Sequence, residues 1–248
     1  IFFFKTYCHY IYNEFSNMKY PILKKTPIKE IIFSLTFVDE KIIESYNEFV
    51  KSIEIKSNFS VEPLFVIKFN NSGTSIEEKP VGYRLKNKNE VIHLKDGLFS
   101  YHYLNNYNGF EDMFLNLFKL WDRLLSFNSQ KMNISSISIR YINQFEINDD
   151  YPESRLIQIY PKYSSDREIK NFQNIVNFSF NDFKDIEVNI VSTKPKEDSL
   201  ILDISTKKSI DKIYSSKEEL KKDFEELREI KNRAFFDSIT AKALIKYI

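Results

Sequence analysis

Ile31, Phe33, Leu35 and Phe37 share one parity in "EIIFSLTF" (Glu30 to Phe37), and that alternation predicts a half-buried strand. The spacing then changes: Ile42, Ile43, Tyr46, Phe49, Val50 and Ile53 recur at helical intervals behind Asp39, a candidate N-cap. Three alternating runs follow, "PLFVIKFN", "VGYRLKNKN" and "EVIHLKDGLFSYHYL". The first is bounded by Pro63 and the turn "NNSGT", and the other two are joined at Asn87-Lys88-Asn89. Met113, Phe114, Leu117, Trp121, Leu124 and Leu125 then form one stripe of a helix opened by Asn108 and Gly109.

The second half repeats this order. "SISIRYINQFEI" (Ser136 to Ile147) alternates as a strand, "ESRLIQIYP" stands where the first helix stood, and "NIVNFSFNDF", "DIEVNIVST" and "SLILDISTK" are three more strand patterns. A helix follows, where Ser215 with Glu218, or Ser216 with Glu219, has capping-box spacing ahead of Leu220, Phe224, Leu227, Ala234 and Phe235. Asp237 or Ser238 is placed to cap a last helix, "ITAKALIKYI". The predicted class is therefore α+β, an antiparallel sheet with helices packed on one face. Residues 18–248 read as a single domain, either two fused strand–helix–three strands–helix halves (27–128 and 134–236) or one unduplicated unit.

Composition narrows the functional classes. Lys and Arg total 36 against 35 Asp and Glu, which removes a bulk electrostatic argument for nucleic acid or an anionic membrane. The 23 Phe and 15 Tyr predict a core filled largely by rings. A single Cys8 excludes an intramolecular disulfide framework and points to the cytoplasm. "IFFFKTYCHYIY" is interrupted by Lys5 and His9 and lacks the features of an export signal, while Met18 begins a natural-looking start. Residues 1–17 are accordingly expected to lie outside the fold. No apolar run reaches the roughly 20 residues that span a bilayer.

Signatures of catalysis are scarce. Gly73, Gly82, Gly97 and Gly109 are isolated, so no phosphate-binding loop exists. His93 and His102, read along one continuous strand, have opposite parity and no metal-ligand spacing. No metal and no cofactor is expected, and no G-x-S-x-G elbow occurs.

The remaining chemistry lies on the central strand. Ile137, Ile139, Tyr141, Phe145 and Ile147 point to the core, leaving Arg140, Gln144 and Glu146 opposite. The same parity puts Glu30 and Asp203 off the core, so Glu30, Arg140, Gln144 and Asp203 form a candidate binding face. The competing reading of that group is a solvated ion-pair network. Asn143 intrudes on the core side, where a buried amide needs backbone partners. With Ser238 and Thr240 it is assigned a structural role.

"TPIKEIIFSLTF", "ISIRYINQFEI", "LILDIS" and "AFFDSIT" occur in an order that resembles a sporadically distributed family of uncharacterised bacterial proteins. The likeness runs from about Tyr20 to the C-terminus through a P-x-x-E-x-x-F-like opening, a central R-Y-I-N strand and a late F-x-x-x-I-T. It marks Pro27, Glu30, Arg140, Tyr141, Asn143, Asp203, Ser238 and Thr240 as family-like positions. The resemblance brings no established activity; patchy distribution implies horizontal transfer, hence a defence or toxin–antitoxin cassette. The reading at this stage is a non-enzymatic binding or interaction module with a protein partner. The alternative is a nucleic-acid-associated protein or unorthodox nuclease, encouraged only by "KNKNE", "TKPKE" and "STKKSIDKIYSSK".

Overall fold

The computed structural model describes residues 20–248 apart from 22, 39–42, 55–57, 66, 71–72, 77–79, 96, 105–106, 108, 129–131, 149–155, 159–169, 197 and 215. Of 43, 54, 67–70 and 73–76 it describes only the backbone. The expectations for residues 1–17, Asp39, Asn108 and Ser215, and for most of "ESRLIQIYP", fall outside the described residues.

Among the described residues, eleven strands and four helices follow one another as β1 (Ile28–Phe37), α1 (Ile43–Glu54), β2 (Ser60–Leu64), β3 (Ile67–Asn70), β4 (Gly73–Ile76), β5 (Gly82–Lys86), β6 (Glu90–Lys95), β7 (Leu98–Leu104), α2 (Phe110–Ser126), β8 (Ile134–Glu146), β9 (Phe172–Phe180), β10 (Phe183–Lys196), β11 (Ser199–Lys212), α3 (Lys217–Ser238) and α4 (Ala241–Tyr247). Nine strands make one open antiparallel sheet in the order β2-β5-β6-β7-β1-β8-β11-β10-β9, and β3 pairs only with β4. The protein is thus α+β, with its helices gathered on one face of the sheet.

β1 and β8 meet at the centre, with Ile31 opposite Tyr141, Phe33 opposite Ile139 and Leu35 opposite Ile137. The pairing order is the same on both sides of this seam: β7 returns to β1 as β11 returns to β8, each closing a three-strand meander on the strand that opened its half. Alternation decides which face is covered, and the inward residues of β1 and β8 are fully or almost fully buried. Rings then fasten the helices to it. Phe33 meets Phe110 of α2 at 5.9 Å and Phe224 of α3 at 5.3 Å, Phe99 meets Phe49 of α1 at 6.5 Å, and Phe145 meets Tyr247 of α4 at 5.6 Å.

Two strand expectations need correction. "EVIHLKDGLFSYHYL" is not one strand but the hairpin β6–β7, since Lys95 pairs with Leu98 across positions 96 and 97. Gly97 supplies the positive φ, 67°, that a two-residue turn requires, and Asp96-Gly97 is the dipeptide such turns favour. "PLFVIKFN" likewise divides, β2 joining the large sheet and β3 leaving it for the small one.

Helix caps were partly legible. Ser216 begins α3, its hydroxyl accepting a bond from the Glu219 N–H at 3.2 Å. The cap of α4 is Thr240 rather than Asp237 or Ser238, because α3 continues through Ser238 and only Ile239, extended and bridged to Ile157, breaks the helix. Thr240 Oγ1 accepts from the Ala243 N–H at 3.1 Å, and the buried Ser238 hydroxyl donates to the Ala234 carbonyl at 2.6 Å.

Phe224 touches both Phe33 and Phe114, so it ties α3 to the seam and to α2 at once. Phe224→Ala should cost about 3–5 kcal/mol. A urea melt checks this: the midpoint should fall with the slope unchanged, as for a cavity in an otherwise intact core.

Candidate functional site

On the face opposite the helices, cross-strand pairing assembles a polar row that no short motif encodes. Arg84 lies opposite His93 and His93 opposite Ser100, while two residues along β7 His102 lies opposite Ile32 and Ile32 opposite Arg140. Glu62 on β2 reaches Arg84 at 3.7 Å. The His93 and His102 rings meet edge to face at 4.8 Å. His102 Nδ1 bonds Glu30 Oε1 at 2.7 Å, and its Nε2 lies 3.0 Å from Ser100 Oγ. Arg140 donates from Nε and Nη2 to the carboxylate of Asp203, the closest contact being 2.5 Å. Glu62, Arg84, His93, His102, Glu30, Arg140 and Asp203 therefore cross the seven strands from β2 to β11.

The environment differs along the row. The hydrogen bond from His102 holds the Glu30 carboxyl below 4.5 against the opposing effect of burial, with further lowering from the His102, Arg140 and His93 charges. Burial, helped by His102 and Arg84, pushes His93 down to about 4, so it stays neutral at physiological pH. The stabilisation carried by Glu30 is present above pH 4.5 and fades as pH falls through its lowered value.

Of the four residues predicted for a binding face, Glu30, Arg140 and Asp203 come together in this row. Gln144 is exposed on the same face but outside the cluster, and among the described residues its side chain makes no hydrogen bond. Ser100, His102, His93 and Arg84 were not anticipated. The parity argument against the two histidines fails because they belong to different strands of one hairpin and share a face. The Asp96-Gly97 dipeptide carried the signal that would have found them.

Asn143 lies on the covered face, 2% exposed, and its amide donates to the Leu202 carbonyl at 3.0 Å. It sits where β1 bulges between Ile28 and Glu30. Beside it the side of the sheet covered by α3 contains a cavity of about 400 Å³ lined by Tyr107, Tyr141, Arg228 and Lys231, with Tyr20, Leu23, Thr26 and Pro27 from the chain ahead of β1. Lys231 was also missed. Its position, four residues after Leu227 and four before Phe235, falls in the apolar stripe of α3, and a lysine there was the available clue.

Among the described residues no group of three or more metal-ligating side chains occurs, and no helix is long and apolar enough to cross a membrane. No family model matches the chain, and no curated protein matches it. The family likeness therefore rests on the motifs alone.

Two substitutions separate the faces. Arg140→Ala, on an open face where its side chain is 46% exposed, should cost no more than about 1 kcal/mol. Asn143→Leu leaves the Leu202 carbonyl without its side-chain donor and should cost about 1–3 kcal/mol. Denaturant melts of the two variants rank them, and an inverted ranking contradicts the assignment of faces.

Proposed function

We propose that the protein is a binding module and that it engages a protein partner through the helix-free face of the sheet. The observation that carries this reading is the row from Glu62 to Asp203, in which charges of both signs are held on rigid strands. Ile32 and Ile142 stand among them as partly exposed apolar contacts. Preorganised ion pairs of this kind fix orientation and exclude mismatched partners more than they add raw affinity. A cytoplasmic setting and a place in a defence or toxin–antitoxin cassette are consistent with the single cysteine and the motif likeness.

One observation favours a second reading. Ser100, His102 and Glu30 stand in the order nucleophile, base and orienting carboxylate, as in serine hydrolases. Two features weigh against it. Ser100 is only 3% exposed, and its place inside the β7 ladder commits nearby backbone N–H groups that an oxyanion would need. The nucleic-acid alternative loses support as well. Lys208 and Lys212 of the longest lysine-rich segment are bound to Glu226, Glu219 and Asp223, so their charge is already compensated.

The test compares wild type with an Arg140→Ala, Asp203→Asn double variant. A discrete protein retained by the wild type should be lost by the double variant and kept by Lys222→Ala, at an exposed position of α3. The same samples are incubated with a fluorophosphonate probe, and with RNA and DNA in the presence of Mg²⁺ or Mn²⁺. Labelling of Ser100, turnover that vanishes in the double variant, or steeply salt-dependent nucleic-acid binding would each overturn the binding-module reading.

A further inference from the structure

The cavity on the covered side has a composition that the open face does not explain. Arg228, Lys231, Asn232 and Phe235 recur at helical spacing along α3 and line it from one side. Tyr141 and Asn143 of β8 form its floor, and Tyr20, Tyr107 and Phe236 contribute further rings. Two basic side chains therefore face one recess in which no lining residue is a carboxylate. Lys231 is 7% exposed; its Nζ stands 3.7 Å over the Tyr141 ring and, among the described residues, donates only to Asn232 Oδ1. Arg228 rests against Phe110 at 4.8 Å and has no ion-pair partner among the described residues. The Tyr141 hydroxyl, on a residue 1% exposed, has no hydrogen-bond partner among the described residues.

Burying an unpaired ammonium is costly, and a cation–π contact with one phenol ring offsets only part of that cost. A structural role alone would be served better by Met or Leu at position 231. We propose that this cavity is a receptor for a small organic anion: a carboxylate or phosphate held between Lys231 and Arg228, carried on a flat aromatic body packed among Tyr20, Tyr107 and Phe236. Arg supplies a planar fork for the anion, Lys a point charge, and the Tyr141 hydroxyl a donor not otherwise used. The volume, about 400 Å³, falls within the range of small-molecule sites. Tyr20 and Phe236 are stacked at 5.0 Å and 5°, a flat wall suited to a planar ligand. The proposal is independent of the partner-binding face, which lies across the sheet.

Protonation links to occupancy. Burial, and next the Arg228 charge, push Lys231 down to about 7. The groups facing it are Tyr141 and Asn143 of β8, Tyr107 ahead of α2, and Arg228 and Asn232 of α3, none of them a carboxylate. The unfolded chain keeps its lysine protonated to near 10.5, so the native state loses stability as pH falls from about 10.5 to about 7. An anion restores the ammonium, so binding takes up protons at pH 8 and weakens as pH rises above 7.

Calorimetry with indole-3-carboxylate and adenosine monophosphate as anionic probes, and with indole-3-carboxamide and adenosine as uncharged counterparts, tests the proposal. At least one anion should bind with one-to-one stoichiometry and at least tenfold more tightly than its neutral counterpart. Which of the two binds distinguishes an aryl carboxylate from a nucleoside phosphate. Titrations in two buffers of different ionisation enthalpy at pH 8 should reveal proton uptake. Lys231→Met should melt no lower than wild type at pH 7 yet lose the preference for the anion and the proton uptake, and Arg228→Gln should weaken the anion at least fivefold. Equal binding of charged and neutral probes, binding by neither anion, or an unchanged anion preference in folded Lys231→Met would each overturn it.

Discussion

The pairing of β1 with β8 is the constraint on which the rest of the molecule depends. These strands lie next to each other at the centre of the nine-strand sheet, and each half of the chain adds its own strands outward from one of them. The contacts across the seam join residues about a hundred positions apart, so both halves must be in place before the buried face can be closed. Phe33 and Phe224 sit over that seam. Covering one side of the central strands with aromatic rings leaves the other side to polar residues, because strand side chains alternate without exception between bulges.

That division organises the chemistry. On the helix-free side, pairing brings Glu30, His102 and Ser100 into one hydrogen-bonded line and places Arg140 on Asp203, from segments widely separated in sequence. On the covered side, the bulge after Ile28 and the buried Asn143 mark the end of regular packing, and the cavity with Lys231 and Arg228 opens there. Hydrophobic burial accounts for the stability of that side, yet the lysine in the α3 stripe opposes it.

Much of the architecture could be read from one chain. Alternation identified β1, β8, β10 and β11 and, for β1, β8 and β11, the face each would bury, and helical spacing identified α1, α2 and α3. The parity of Arg140 and Asp203 put them on one face, and their neighbouring strands made them a pair. Parity misled at His93 and His102 because it holds only within a strand, and a turn at Gly97 reversed the chain between them. Lys231 escaped notice because a hydrophobic stripe is read by its majority.

The sequence by itself determined the α+β class, the buried face of β1, β8 and β11, the helical stripes and a serine cap at 215 or 216, since these follow from local periodicity and local hydrogen bonding. Only the tertiary structure decided strand order, the departure of β3 from the large sheet, the line from Ser100 through His102 to Glu30, and the cavity over Tyr141. The physical reason is that periodicity specifies which way a side chain points. What it meets there depends on register and helix placement, which the burial of the whole core sets together.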